Sequence, residues 1–153
     1  MATGDVQVSI TEIDIQDLDG DSAWAPQMLG LRENATSESA LVSFGMADFT
    51  FTQNGQELQL RDGMLATLKM DLPVTADGNI FPGPVEAGDV IPLWYYDDEA
   101  MIWKEEGQAT IIADASSASG YSWTGQVSHF STWNCDDILG TATVNVFLSL
   151  IHI

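Results

Sequence analysis

The chain is poor in positive charge: it has four lysines and arginines against 23 aspartates and glutamates, a formal net charge of -19. Such a surface repels a phosphate backbone instead of neutralising it, so nucleic acid and anionic membrane are excluded as partners. Cysteine occurs once, at Cys135, which excludes an internal disulfide and a thiolate zinc cage. Histidine occurs twice, at His129 and His152, and with the single cysteine this sets aside catalytic triads and structural zinc sites. No apolar run reaches the roughly 18 residues of a membrane span, and Met1-Ala2-Thr3-Gly4 is no signal peptide, so an export signal is expected outside this sequence. Glycine-rich phosphate loops of the GxGxxG or GxxxxGK type are missing as well.

What is present is a folding composition. Hydrophobic residues make up 45% of the 153 positions and aromatics 9%, enough for one domain with a core, so the acidity reads as a solvated exterior and not as disorder. Val6, Val8 and Ile10 alternate and then shift parity at Ile13 and Ile15, which predicts a strand with a bulge. Asp17 to Asp21 and Ala35 to Glu38 are polar breaks. In Phe49-Thr50-Phe51-Thr52-Gln53-Asn54-Gly55-Gln56-Glu57-Leu58-Gln59-Leu60, Asn54-Gly55 suits a two-residue type I′ turn. Counting outward pairs Phe51 with Leu58 and Phe49 with Leu60 on one face.

After a turn at Arg61-Asp62-Gly63, a further strand is predicted from the alternation of Ala66, Leu68, Met70 and Leu72. Pro73 to Asp89 holds three prolines and three glycines and predicts an extended loop. Ile91 to Tyr96 and Met101 to Lys104 flank Asp97-Asp98-Glu99-Ala100 as a hairpin with an acidic tip. Thr110 to Ala113 and Tyr121 to Trp133 complete the series. Strands without a convincing amphipathic helix predict an all-β fold, an antiparallel β-sandwich or open barrel of about eight to ten strands. The module is placed at residues 5–137, and residues 138–153 as the stub of a following domain. The last five of these resemble translated sequencing-adapter read-through and are given no function.

Several constellations suggest chemistry. Asp17, Asp19 and Asp21 alternate as at the start of a calcium loop, where oxygens converge on a hard cation. The later EF-hand positions, which require Gly and Glu, hold Ser22 and Met28, so calcium is a weak candidate and no other cofactor is expected. Asp97-Asp98-Glu99 and Glu105-Glu106 invite comparison with a glycosidase carboxylate pair, although a solvated hairpin tip is the plainer reading. Trp24, Trp94, Trp103, Trp123 and Trp133 are either core or a sugar-stacking platform, and core is the ordinary fate of tryptophan in a small β-domain. Cys135, followed by Asp136, reads as buried and inert. Asn34-Ala35-Thr36 is a glycosylation sequon only in a glycosylating secretory pathway.

Val127-Ser128-His129-Phe130-Ser131 offers a nucleophile, Ser131, one residue past the Phe130 carbonyl. His129 would be its base or proton shuttle. In an unbroken strand His129 and Ser131 would face the same side.

Ile91-Pro92-Leu93-Trp94-Tyr95-Tyr96-Asp97, Trp103-Lys104-Glu105-Glu106-Gly107 and Val127-Ser128-His129-Phe130-Ser131-Thr132-Trp133-Asn134-Cys135-Asp136 together resemble a β-sandwich module of bacterial surface lipoproteins and of cartilage intermediate layer protein. In those proteins the module neighbours carboxypeptidase-regulatory-like domains. The resemblance spans about Asp5 to Asp136. It implies a secreted or cell-surface structural or adhesion module without catalytic residues, whose partners are neighbouring domains of the same chain and a surface glycan or protein ligand. The Val-Ser-His-Phe-Ser ending also resembles autoproteolytic function-to-find domains. By that likeness His129, Phe130 and Ser131 form the cleavage motif, cut between Phe130 and Ser131, and Trp133-Asn134-Cys135-Asp136 departs from it.

Overall fold

A computed structural model describes residues 4–16 and 27–139. Among them are nine strands and no helix: β1 (Gln7–Ile13), β2 (Leu29–Leu31), β3 (Glu38–Gln53), β4 (Gln56–Glu57), β5 (Ala66–Asp71), β6 (Val90–Asp97), β7 (Ile102–Ala113), β8 (Tyr121–Val127) and β9 (Thr132–Ile138). The fold is therefore all-β. The strands form one hydrogen-bonded network in the order β1-β3-β9-β6-β7-β8-β5, and β4 pairs with the end of β3. Short β2 bonds antiparallel to β3 and parallel to β7, and every other pairing is antiparallel. The path β3-β9-β6-β7-β2 thus returns to β3, while among the described residues β1 and β5 pair on one side only.

Strand alternation sends neighbouring side chains to opposite faces, and two cores result. One gathers Phe49, Leu68, Ile91, Leu93, Ile111, Trp123, Val127, Trp133 and Cys135. The other, on the opposite faces of β3 and β6, gathers Leu41, Met46, Trp94 and Trp103 with Ile15. Gly30 in β2 is required by the second core. A Cβ there would lie 2.7 Å from the Trp94 ring and 2.8 Å from Leu41, so only a bare backbone lets β2 close over the indole.

Several expectations are modified by the pairing. Asn54 and Gly55 have φ of 53° and 76°, as a type I′ turn requires. The hairpin register runs through Gln53 with Gln56 and Thr52 with Glu57, and Leu58 N still donates to Phe51 O. The Phe49–Leu60 pair does not follow, because the Phe49 N–H donates to Ser131 O instead. β1 pairs one-to-one from Gln7 to Ile13 without the expected bulge. The predicted strand from Tyr121 to Trp133 is two strands: β8 lies between β7 and β5, β9 between β3 and β6, and Ser128 to Ser131 connect them. At the other end of the module β9 continues to Ile138, and Leu139 N still donates to Ala40 O.

Candidate functional site

The connection from β8 to β9 carries His129, Phe130 and Ser131, and its position follows from three local features. The first is a bulge. Pro92 has no N–H to give to a central strand. The β6–β7 register shifts between Pro92 and Trp94, with Gly107 opposite at a φ of 79°. Bulges turn a side chain toward a new target. Here Glu106 meets the loop: its Oε1 accepts from Ser128 Oγ at 2.5 Å, and its Oε2 lies 3.5 Å from His129 Nε2.

The second feature is Gln59, just beyond the Asn54-Gly55 hairpin. Its Oε1 accepts from Phe130 N at 2.7 Å and its Nε2 donates to Phe130 O at 2.8 Å. One side-chain amide thus pairs with both backbone groups of Phe130, as an adjacent strand would. The third is aromatic. Phe130 stacks on Phe51 with centroids 3.9 Å apart, and His129 meets Tyr95 edge-on at 4.8 Å and Trp133 at 4.9 Å. The Trp133 indole N–H donates to His129 O at 3.1 Å.

The Phe130–Ser131 peptide is therefore tied on both sides. It is trans, and none of Ser128, His129, Phe130 or Ser131 has a left-handed φ. His129 and Ser131 do not sit in an unbroken strand, which removes the same-side argument for their proximity. His129 is committed to Glu106, Tyr95 and Trp133.

The remaining candidates fall elsewhere. Trp94, Trp103, Trp123 and Trp133 are fully buried and form core rather than a ring platform. Trp24, with Asp17, Asp19 and Asp21, lies outside the described residues. Among those described, no group of three or more histidines, cysteines, aspartates or glutamates is arranged to hold a metal ion. Two of the hairpin carboxylates have structural partners: Asp97 accepts from Lys104 Nζ and from the backbone of Glu99 and Ala100, and Glu105 faces Arg32 at 3.7 Å. The Lys104 contact chiefly holds the Asp97 carboxyl below its ordinary range. Cys135 is fully buried, and burial pushes its thiol well above the usual range, as expected of an inert cysteine.

One polar group escaped the sequence reading. Asp136 is fully buried on the face of β9 away from Cys135, and its Oδ2 accepts from Asn134 Nδ2 at 2.6 Å. Asn134 Oδ1 accepts from Ser43 Oγ at 2.5 Å, and the Asp136 carbonyl accepts from the Trp94 indole at 3.0 Å. Asp136 Oδ1 has no hydrogen-bond partner among the described residues. Burial drives this carboxyl far above the carboxylate range, and the nearby Ser43 hydroxyl offsets this only in part.

Among the described residues, no helix is long and apolar enough to cross a membrane. Compared with protein-family models, with curated proteins and with solved structures, the chain gives no match.

Proposed function

We propose that the chain is a non-catalytic β-module of a larger secreted or cell-surface protein, acting as a structural spacer or as a platform for a protein ligand. The supporting observation is where its reactive side-chain types are used. The four described tryptophans and Cys135 are buried in the two cores, and Asp97, Glu105 and Glu106 of the β6–β7 hairpin hold Lys104, Arg32, Ser128 and His129. Intact mass under denaturing conditions, on the parent and on Ser131→Ala, tests this reading. One uncut species in both is expected, and a split after Phe130 in the parent alone would overturn it.

A second reading, self-cleavage at Phe130–Ser131, is favoured by one contact. The Gln59 amide lies 2.8 Å from Phe130 O, where negative charge would develop if Ser131 Oγ attacked the Phe130 carbonyl carbon. In that step the new C–O bond forms as the C–N bond breaks. The hydroxyl proton passes through His129 to the departing Ser131 nitrogen. Water then hydrolyses the ester, leaving a Phe130 carboxylate and a chain beginning at Ser131. The same mass measurement separates the two readings.

A further inference from the structure

Strand β1 is unusual for an element beginning with an apolar row. Val6, Val8 and Ile10 are 49%, 54% and 62% exposed. Val8 pairs with Phe51 and Ile10 with Phe49, so the row continues the apolar face of β3 beyond the area that the first core covers. The other side of β1 pairs with no strand among the described residues. Long edges of this kind are normally blunted by lysine, proline or a bulge. From Gln7 to Ile13 there is no lysine or proline, the register is regular, and the only charge is Glu12.

Electrostatics changes at the carboxyl end of the same strand. Glu12, Asp14, Asp48 and Asp98 line a cavity of about 550 Å³ together with Thr11 and Thr132. Asp48 accepts from the Thr50 and Thr132 hydroxyls, and none of the four carboxylates has a basic partner among the described residues. Lys69, Lys104 and Arg32 are engaged by Asp114, Asp97 and Glu105. The edge thus presents free backbone and an apolar row at one end and the Glu12 and Asp14 carboxylates at the other, while Asp48, opposite Thr11 and Thr132, lies inward of the edge on the face away from the row.

We propose that β1 is a docking edge for an extended basic peptide segment of a partner protein, added antiparallel as a further strand. Antiparallel addition sets the partner's amino end beside Glu12 and Asp14 and its following residues beside Ile10, Val8 and Val6. The matching segment therefore carries lysine or arginine first and alternating apolar residues after them. Main-chain hydrogen bonds supply affinity, and the apolar row together with the Glu12 and Asp14 carboxylates supplies register and direction. A second copy of this chain is disfavoured by the repulsion of two bodies each carrying -19. The inference names the ligand class for the platform role proposed above, and so rests on that reading.

The test uses the uncut chain and a fluorescent synthetic peptide with paired lysines at its amino end followed by alternating valine and threonine. Binding is expected, and it should weaken about tenfold or more with glutamates in place of the lysines or with the double variant Val8→Asp, Ile10→Asp. Both replaced side chains are more than half exposed, and an unchanged melting temperature confirms that the variant is folded. No binding, or equal binding of the glutamate peptide, overturns the proposal. So does a dimer in sedimentation velocity that the double variant dissolves, because a second copy is then the occupant. An uncut chain that ignores the peptide still leaves the spacer reading standing, whereas a cut at Phe130 overturns the non-catalytic reading whatever the peptide does.

Discussion

Asp136 is a fully buried carboxyl whose ionisation is coupled to folding. Burial keeps its carboxyl protonated well above the ordinary range, while in the unfolded chain it ionises near the usual value of about 3.9. Between those two values the native state holds a proton that the unfolded state has released, so stability falls as pH rises through that window and is greatest below it. Asp136→Asn removes the ionisation and should flatten this part of the stability curve. The gain at alkaline pH would be about 1.4 kcal/mol for each unit by which the folded pKa is raised. Urea titrations of parent and variant from acid to alkaline pH test this, and parallel curves would contradict it. Gln59 acts through geometry instead. Gln59→Ala removes both bonds to Phe130 at an exposed site where water replaces them, so the expected cost is about 0.5–1.5 kcal/mol. Hydrogen exchange at the Phe130 amide should speed up in that variant while the core amides of β6 and β9 stay protected. Unchanged exchange at Phe130 would show that the amide clamp does not hold the loop.

At the scale of elements, three-residue β2 has influence out of proportion to its length. It links β3 to β7, and Gly30 at its centre lies against Trp94. Gly30→Ala places a methyl within 2.9 Å of the indole and of Leu41, and forcing them apart should cost about 1–3 kcal/mol. Gly83, with nothing within 4 Å of its Cβ position, is the control, and Gly83→Ala should melt close to the parent. Equal melting temperatures for the two variants would mean that β2 yields without strain. The β6–β7 bulge has a different role. It absorbs Pro92 and presents Glu106 to Ser128 and His129, so the strand irregularity and the candidate site share a cause.

For the whole molecule the dominant quantity is charge. A net of -19 on 153 residues opposes compaction by self-repulsion, and salt screens exposed charges beyond about 10 Å at 0.1 M. The melting temperature should therefore rise as sodium chloride is raised from about 10 mM to about 150 mM. A flat or falling dependence would place the balance of charge interactions with the ion pairs at Lys69, Lys104 and Arg32 rather than with general repulsion. Peptide binding at β1 should move the opposite way and weaken with salt, because it draws on the same uncompensated carboxylates.

The sequence by itself determined the class of the fold and its local pieces. Alternating apolar residues and turn chemistry are short-range signals, so the Asn54-Gly55 turn, the β6–β7 hairpin and strand β5 were all legible. The tertiary structure decided which strands are neighbours, and that partnership rests on contacts across many residues that no local pattern encodes. Val127 and Trp133 look like one strand in sequence yet belong to β8 and β9, which have two other strands between them. Gln59 reaches Phe130 across 71 positions, and nothing about a glutamine after a hairpin announces that reach. The same limit applies to burial. The row at Val6, Val8 and Ile10 has the alternation of a core strand and lies exposed, while Asp136, an ionisable residue, lies in the interior. Alternation fixes which side chains share a face, and only the packing of other strands decides whether that face meets protein or water.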